Sequence, residues 1–157
     1  MPDKVEKSRV IRPATLDDSE VLLAWRNDPS SRRWNHTAVA VQVDEHERWL
    51  RNRLGRDRPL LWMVDESGGP IATARLDVGS DGTATVSIAV DQRHRGRGVA
   101  RDVLAYLDQQ GRVMGLSSLR AEVHPGNSAS QALFVAAGYE KRSVTDDGFD
   151  QYVRPLT

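Results

Sequence analysis

The sequence predicts a mixed α+β domain: a central, mostly antiparallel sheet of about six to seven strands, flanked by about four helices. Two observations carry that prediction. At residues 83–90 the apolar positions Ala84, Val86, Ile88 and Val90 alternate with Thr83, Thr85, Ser87 and Ala89, the period of a half-buried strand. From Val99 the period becomes helical, with Val99, Val103, Leu104 and Leu107 on one face and Arg101, Asp102 and Asp108 elsewhere. The same two periods, read along the chain, give runs of strands interrupted by helices.

In chain order, residues 1–7 read as a loose tail, and Val10, Ile11 and Arg12 form a short first strand stopped by Pro13. Thr15 followed three residues later by Asp18 is a capping start. Its helix carries Val21, Leu22 and Trp25 inward and stops at Pro29. Residues 30–43 have little regular pattern. A second helix runs from about Asp44, with Trp49, Leu50 and Leu54 as its stripe and Gly55 as its end. The unbroken apolar run Leu60, Leu61, Trp62, Met63 and Val64 predicts a strand buried on both faces. Turns at 65–70 and 78–82 then join three strands into a meander. After the turn at 93–98 comes the helix from Val99, predicted to end at Gly111, and then a strand over 119–124. Another helix follows Asn127, with Ala132, Leu133, Ala136 and Ala137 as its apolar face and Gly138 as its end. Residues 139–144 and 149–153 close the chain as a hairpin around the turn at 145–148.

Bulk composition excludes several classes of function. The 157 residues make a single domain, with 22 basic and 22 acidic residues and no net charge. No basic surface for nucleic acid or an anionic membrane is expected. Cysteine is absent, which removes disulfides and thiol catalysis. The histidines His36, His46, His94 and His124 have no ligand-type spacing, so no metal site is predicted. No apolar run approaches membrane-spanning length, and a cytoplasmic protein is expected.

The turn between strand and helix is the first motif that carries chemistry. Gly96 and Gly98 permit positive φ and let backbone approach a ligand, and the N–H groups opening the next helix favour an anion. A P-loop would need a lysine after these glycines, and a dinucleotide fingerprint would need glycine where Arg101 stands. What fits is R-x-x-G-x-G over Arg93, Gly96 and Gly98, followed by Val99 and Ala100. It resembles the pyrophosphate signature of the GNAT superfamily, the acetyl-CoA-dependent N-acetyltransferases. A later run, Asn127-x-x-Ser130-x-x-Leu133-Phe134-x-x-x-Gly138-Tyr139, is similar to that family's second motif, and the element order matches across nearly the whole chain.

The resemblance implies acetyl-CoA as co-substrate and no metal. Its pyrophosphate would lie on backbone N–H groups from Arg95 to Val99 and on to Ala100, with Arg93, Arg95 and Arg97 adding charge. Its pantetheine would meet main chain at Ile88, Ala89 and Val90, where an N–H would stabilise the oxyanion. That requires strand 83–90 to splay from strand 119–124. Asn127 would reach cofactor or main chain; it also reads as a plain helix N-cap. The chain departs from the family where many members carry a tyrosine acid, since Phe134 stands there and has no proton to give. An early glutamate in strand 83–87 is also missing. Glu122 and His124 are left as catalytic candidates, with His36 beside them, as is deprotonation through water.

The acceptor wall is expected in residues 30–53. Trp25, Arg26, Asn27, Asp28 and Pro29, with His46 and Trp49 later, resemble the branch holding ribosomal-protein alanine acetyltransferases and enzymes that acetylate amino groups of sugar nucleotides. The implied partner is a small-molecule amine such as an amino sugar or sugar nucleotide, or alternatively a peptide N-terminus. Trp25 and Trp49 read as packing. Trp34 is a stacking candidate, Arg32 or Arg33 could meet a substrate phosphate, and His36 lies on the same stretch. A non-catalytic acyl-CoA-binding module and a nucleotide-phosphate-binding protein stay open beside the enzyme. A homodimer paired through the closing hairpin is a further possibility.

Overall fold

The computed structural model describes residues 8–37 and 39–156, so the predicted tail at 1–7 lies outside the described residues. Seven strands form one sheet: β1 (Val10–Pro13), β2 (Leu61–Glu66), β3 (Gly69–Val78), β4 (Thr83–Val90), β5 (Ser118–Val123), β6 (Glu140–Val144) and β7 (Asp150–Pro155). Their order across the sheet is β1-β2-β3-β4-β5-β7-β6. Every neighbouring pair is antiparallel except β4 and β5. Among the described residues five α-helices accompany it: α1 (Ser19–Asn27), α2 (Pro29–Arg32), α3 (Val43–Leu54), α4 (Val99–Val113) and α5 (Ser128–Ala136).

The apolar run at 60–64 explains how the two layers form. Successive strand side chains alternate faces, and β2 supplies apolar groups to both. Trp62 and Val64 join the larger core, where α4 places Val99, Val103, Leu104 and Leu107 against Ala74, Leu76, Val86 and Leu119. Leu61 and Met63 face the opposite way, toward Leu22 and Trp25 of α1 and Leu50 of α3. Leu50 and Met63 are fully buried, so truncating either to alanine should cost about 2–5 kcal/mol.

Three local expectations are corrected. Pro29 does not simply stop a helix: α1 ends at Asn27, and Pro29 opens the one-turn α2, where a missing N–H costs nothing. Asp28 caps α2 by accepting from the Ser30 N–H at 2.9 Å. Gly111 does not end α4, which continues to Val113. A Cβ at Gly111 would stand 2.7 Å from Leu156 Cδ1 and 3.3 Å from Leu119 Cδ2, so this glycine serves close packing. In α5, Ala132 and Ala136 are exposed, and Phe134 instead points into the core, with Leu133 and Ala137 packed beside it. Thr15 forms the predicted capping box with Asp18, but its first turn is tight before α1 begins.

One feature of the sheet positions the site. β4 and β5 pair only at Thr83–Ser118, Ala84–Leu119 and Thr85–Arg120. Beyond Thr85 and Arg120 they part, and main chain from Val86 to Val90 has no strand partner on that side.

Candidate active site

At the far end of β4, Asp91 organises the turn into α4. Its Oδ1 accepts the Arg93 N–H at 2.9 Å, and its Oδ2 accepts the Trp25 indole N–H at 3.2 Å. The Arg93 N–H, followed by the Trp25 indole and the Arg93 charge, outweighs burial and holds the Asp91 carboxyl below the usual range. Trp25 is thus both buried packing, as expected, and a tether between α1 and the turn. Sequence patterning gave no sign of Asp91.

Gly96 and Gly98 have φ of +76° and +79°, and a Cβ at either would meet nothing within 4 Å. Their backbone conformation, not crowding, demands glycine, and the loop surface stays open for a ligand. Gly98 is the N-cap of α4, and no side chain caps that end. The first N–H groups, at Val99 and Ala100 among them, therefore face outward at the positive pole of a 15-residue helix. A cradle of this kind fits a pyrophosphate.

The three arginines of the turn are used differently. Arg95 donates to Val90 O at 3.2 Å and to the hydroxyls of Ser30 and Ser31 at 3.2 and 3.0 Å, which ties the turn to α2. Arg97 donates to Glu66 Oε1 at 3.1 Å. Arg9 binds the other Glu66 oxygen at 3.0 Å and the Arg97 carbonyl at 2.9 Å. Arg93 Nε lies 3.5 Å from Asp91 Oδ1, and its side chain is 85% exposed against 37% for Arg97. Arg95 and Arg97 thus brace the turn on which the glycine cradle stands. Asn127 accepts the Ser130 N–H at 3.2 Å and donates to its hydroxyl at 3.1 Å, so the N-cap reading describes it.

On the other side of the opening, residues far apart in sequence converge. His36 Nε2 lies 2.7 Å from Glu122 Oε2, and His36 Nδ1 is bonded to Asp147. The His36 ring stacks on Phe149, with centroids 3.8 Å apart and planes within 17°. His124 packs edge-on to Phe149 at 5.6 Å and to Trp34 at 5.2 Å, and Arg33 lies 4.6 Å over the Trp34 ring. The Thr145 hydroxyl, then His36, holds the Asp147 carboxyl low. Asp147 and Phe149 escaped the sequence reading because they lie in an ordinary-looking turn and strand start.

The geometry separates the two catalytic candidates. The Gly126 N–H donates to His124 Nδ1 at 2.9 Å, which assigns the ring proton to Nε2. His124 in that tautomer offers a donor, not a base. Glu122 presents its carboxyl group on the rim of the opening, its side chain 31% exposed. Phe134 is buried edge-to-face with Tyr139 at 5.1 Å and offers no proton, as expected. Among the described residues no group of His, Asp and Glu is placed to hold a metal, and no helix is long and apolar enough to cross a membrane.

Comparison with known proteins decides the family. The acetyltransferase (GNAT) domain family matches residues 9–140. The chain belongs to that family. It is 30% identical over 141 residues to an L-methionine sulfoximine/L-methionine sulfone acetyltransferase of Pseudomonas aeruginosa, covering 85% of this chain and 81% of the relative. The structure of a ribosomal-protein-alanine N-acetyltransferase from Brucella melitensis superposes with a TM-score of 0.78 at 25% identity, over 92% and 96% of the two chains. An N-acetyltransferase from Staphylococcus aureus shares the fold with a TM-score of 0.84 at 23% identity, over 96% and 99%. The GNAT fold and the predicted class of enzyme, an acetyl-CoA-dependent N-acetyltransferase, are both borne out.

Proposed function

We propose that this GNAT enzyme moves the acetyl group of acetyl-CoA directly to a primary amine of a small molecule, with Glu122 as the general base. One observation carries the reading: the opening beyond Thr85 and Arg120 has the glycine cradle at one end and the Glu122–His36 pair at the other. A small-molecule acceptor is supported by the Pseudomonas relative, which is named for two such acceptors.

The cradle from Gly96 to Ala100, with Arg93, would hold the pyrophosphate, and unpaired main chain of Ile88, Ala89 and Val90 would hold the pantetheine. Acetyl-CoA supplies an activated thioester carbonyl. Glu122 takes a proton from the acceptor ammonium, and the freed nitrogen forms a bond to the carbonyl carbon. Main-chain N–H near the end of β4 steadies the charge on oxygen. The carbon–sulfur bond breaks, and the proton that the attacking nitrogen sheds passes through water to the thiolate, since Phe134 has none to give. His36, held by Asp147 and stacked on Phe149, is a positioning residue that fixes the Glu122 carboxylate. Most of the acceleration comes from bringing amine and thioester into line.

The test joins binding to turnover. Acetyl-CoA at about 100 times its Kd should add about 2.7 kcal/mol to stability, and Gly98→Trp should abolish that gain. Thiol release from acetyl-CoA is then followed across a panel of small amines. A thermal shift with NAD or ATP instead of acetyl-CoA, or thiol release with none of the amines, would overturn the proposal.

A further inference from the structure

The face of the sheet that carries Glu122 also carries a cluster of arginines that the reaction leaves unused. Arg75 of β3 stands opposite Ser87 of β4, about 4.8 Å away across the strands, at the level where β4 has left β5. Its other neighbour in register is Leu61, which faces α1 and α3. Arg26 and Arg53 come from the last turns of those two helices. Asp77 pairs with Arg53 and, at 3.0 Å, with Arg75. Asp77 thus serves two of these three guanidinium groups.

The surroundings make this imbalance costly. Arg53 and Arg75 lie over the Trp49 ring at 5.7 and 5.4 Å, and the Arg53 side chain is only 13% exposed. Arg26 Nη1 is buried and has no hydrogen-bond partner among the described residues. Burial, and then the charges of Arg53 and Arg26, push Arg75 down to about 10. Buried charges are ordinarily paired. A planar guanidinium matches a carboxylate or a phosphate with two parallel hydrogen bonds. The Arg75 side chain keeps 34% of its exposure, so a ligand can reach it.

We propose that Arg26, Arg53 and Arg75 form an anion subsite of the acceptor chamber, which takes a carboxylate or phosphate carried by the amine substrate. The proposal rests on the acetyl-transfer reading for the amine, but anion binding can be measured without turnover. Trp49 is then the floor that orients the guanidinium planes, a use beyond the packing role its helical spacing suggested. The acceptor amine would be held between this subsite and Glu122, so that the charge fixes which nitrogen reaches the thioester.

Two matched pairs of probes test it: L-methionine sulfone against its carboxamide, and glucosamine 6-phosphate against glucosamine. Binding to the enzyme is measured by calorimetry with and without CoA, and kcat/KM by thiol release. The charged member of one pair should be favoured about tenfold or more, equivalent to about 1.4 kcal/mol. The favoured pair tells carboxylate from phosphate. Arg75→Gln and, separately, Arg26→Gln should shrink that preference, with thermal unfolding confirming that each variant folds. Arg26→Gln guards against misfolding, since its Nη1 makes no hydrogen bond among the described residues. Charged and neutral members agreeing within about twofold in both pairs, or no binding of either charged probe at millimolar concentration, would overturn the subsite. Equal turnover of the members would leave acetyl transfer standing, whereas failure to bind acetyl-CoA would strike the enzyme reading and leave the calorimetry of the anions intact.

Discussion

His36 Nε2 and Glu122 Oε2 stand 2.7 Å apart, joining the irregular segment after α2 to the end of β5. The imidazole thereby fixes the carboxylate where β4 and β5 part. Glu122→Gln keeps the shape and removes the proposed base, so kcat should fall by about 10²–10⁴-fold while acetyl-CoA still binds. His36→Ala should lower kcat less and leave the KM for acetyl-CoA unchanged, because the carboxylate remains but loses its orienting partner. A kcat within a few-fold of wild type for Glu122→Gln would return deprotonation to water.

Gly98 is left-handed, with φ of +79°, and caps α4 at the cradle. An alanine there clashes with nothing within 4 Å, so the expected cost is conformational, about 1–2 kcal/mol. Gly98→Ala should therefore lower stability modestly in denaturant melts. It should weaken acetyl-CoA binding as well, because relaxing φ turns the first N–H groups of α4 away from the phosphate. Unchanged affinity would place the pyrophosphate elsewhere.

Much of this architecture was legible because its signals are local. The alternation at 83–90, the unbroken run at 60–64 and the Thr15–Asp18 box each report a conformation that neighbouring residues enforce. Gly111 was misread for the opposite reason: glycine looks like a helix end locally, and its cause is a leucine near the far end of the chain. Pro29 likewise signals both the end of one helix and the start of another. The glycine cradle could be read because backbone geometry and sequence coincide there. The Glu122–His36–Asp147 array could not be assembled, although two of its members were candidates, since only the order β5-β7-β6 brings the turn at 145–148 to it. Arg95 and Arg97 show the same limit, because charge in a loop does not say which neighbouring side chains it will bond.

His46 on α3 is buried, and among the described residues its Nδ1 has no hydrogen-bond partner. Burial lowers its pKa, and nearby Glu47 offsets this only in part. The folded state thus binds the proton less readily than the unfolded chain, whose histidine titrates at about 6.5. This contribution to stability is complete above that pH and is lost as pH falls through the depressed folded value. The denaturation midpoint should drop as the solution is acidified from neutrality, and His46→Leu should flatten that slope. An identical slope in the variant would assign the acid sensitivity to other groups.

Gly111 sets two effects of opposite sign against each other. Replacing a mid-helix glycine with alanine gains about 1 kcal/mol of helix propensity. The new methyl would approach Leu156 Cδ1 to 2.7 Å and Leu119 Cδ2 to 3.3 Å. Leu119 is fully buried and Leu156 nearly so, which leaves both little room to turn aside. Overpacking of this kind costs about 1–3 kcal/mol, so Gly111→Ala should lose stability by about 1 kcal/mol net. Adding Leu156→Ala should recover part of the loss that Gly111→Ala brings, because the nearer methyl is then gone. Urea denaturation of the two single variants and the double variant measures that coupling. Strict additivity would show that α4 accommodates the methyl by shifting as a body, not by strain against β5 and the C-terminal segment.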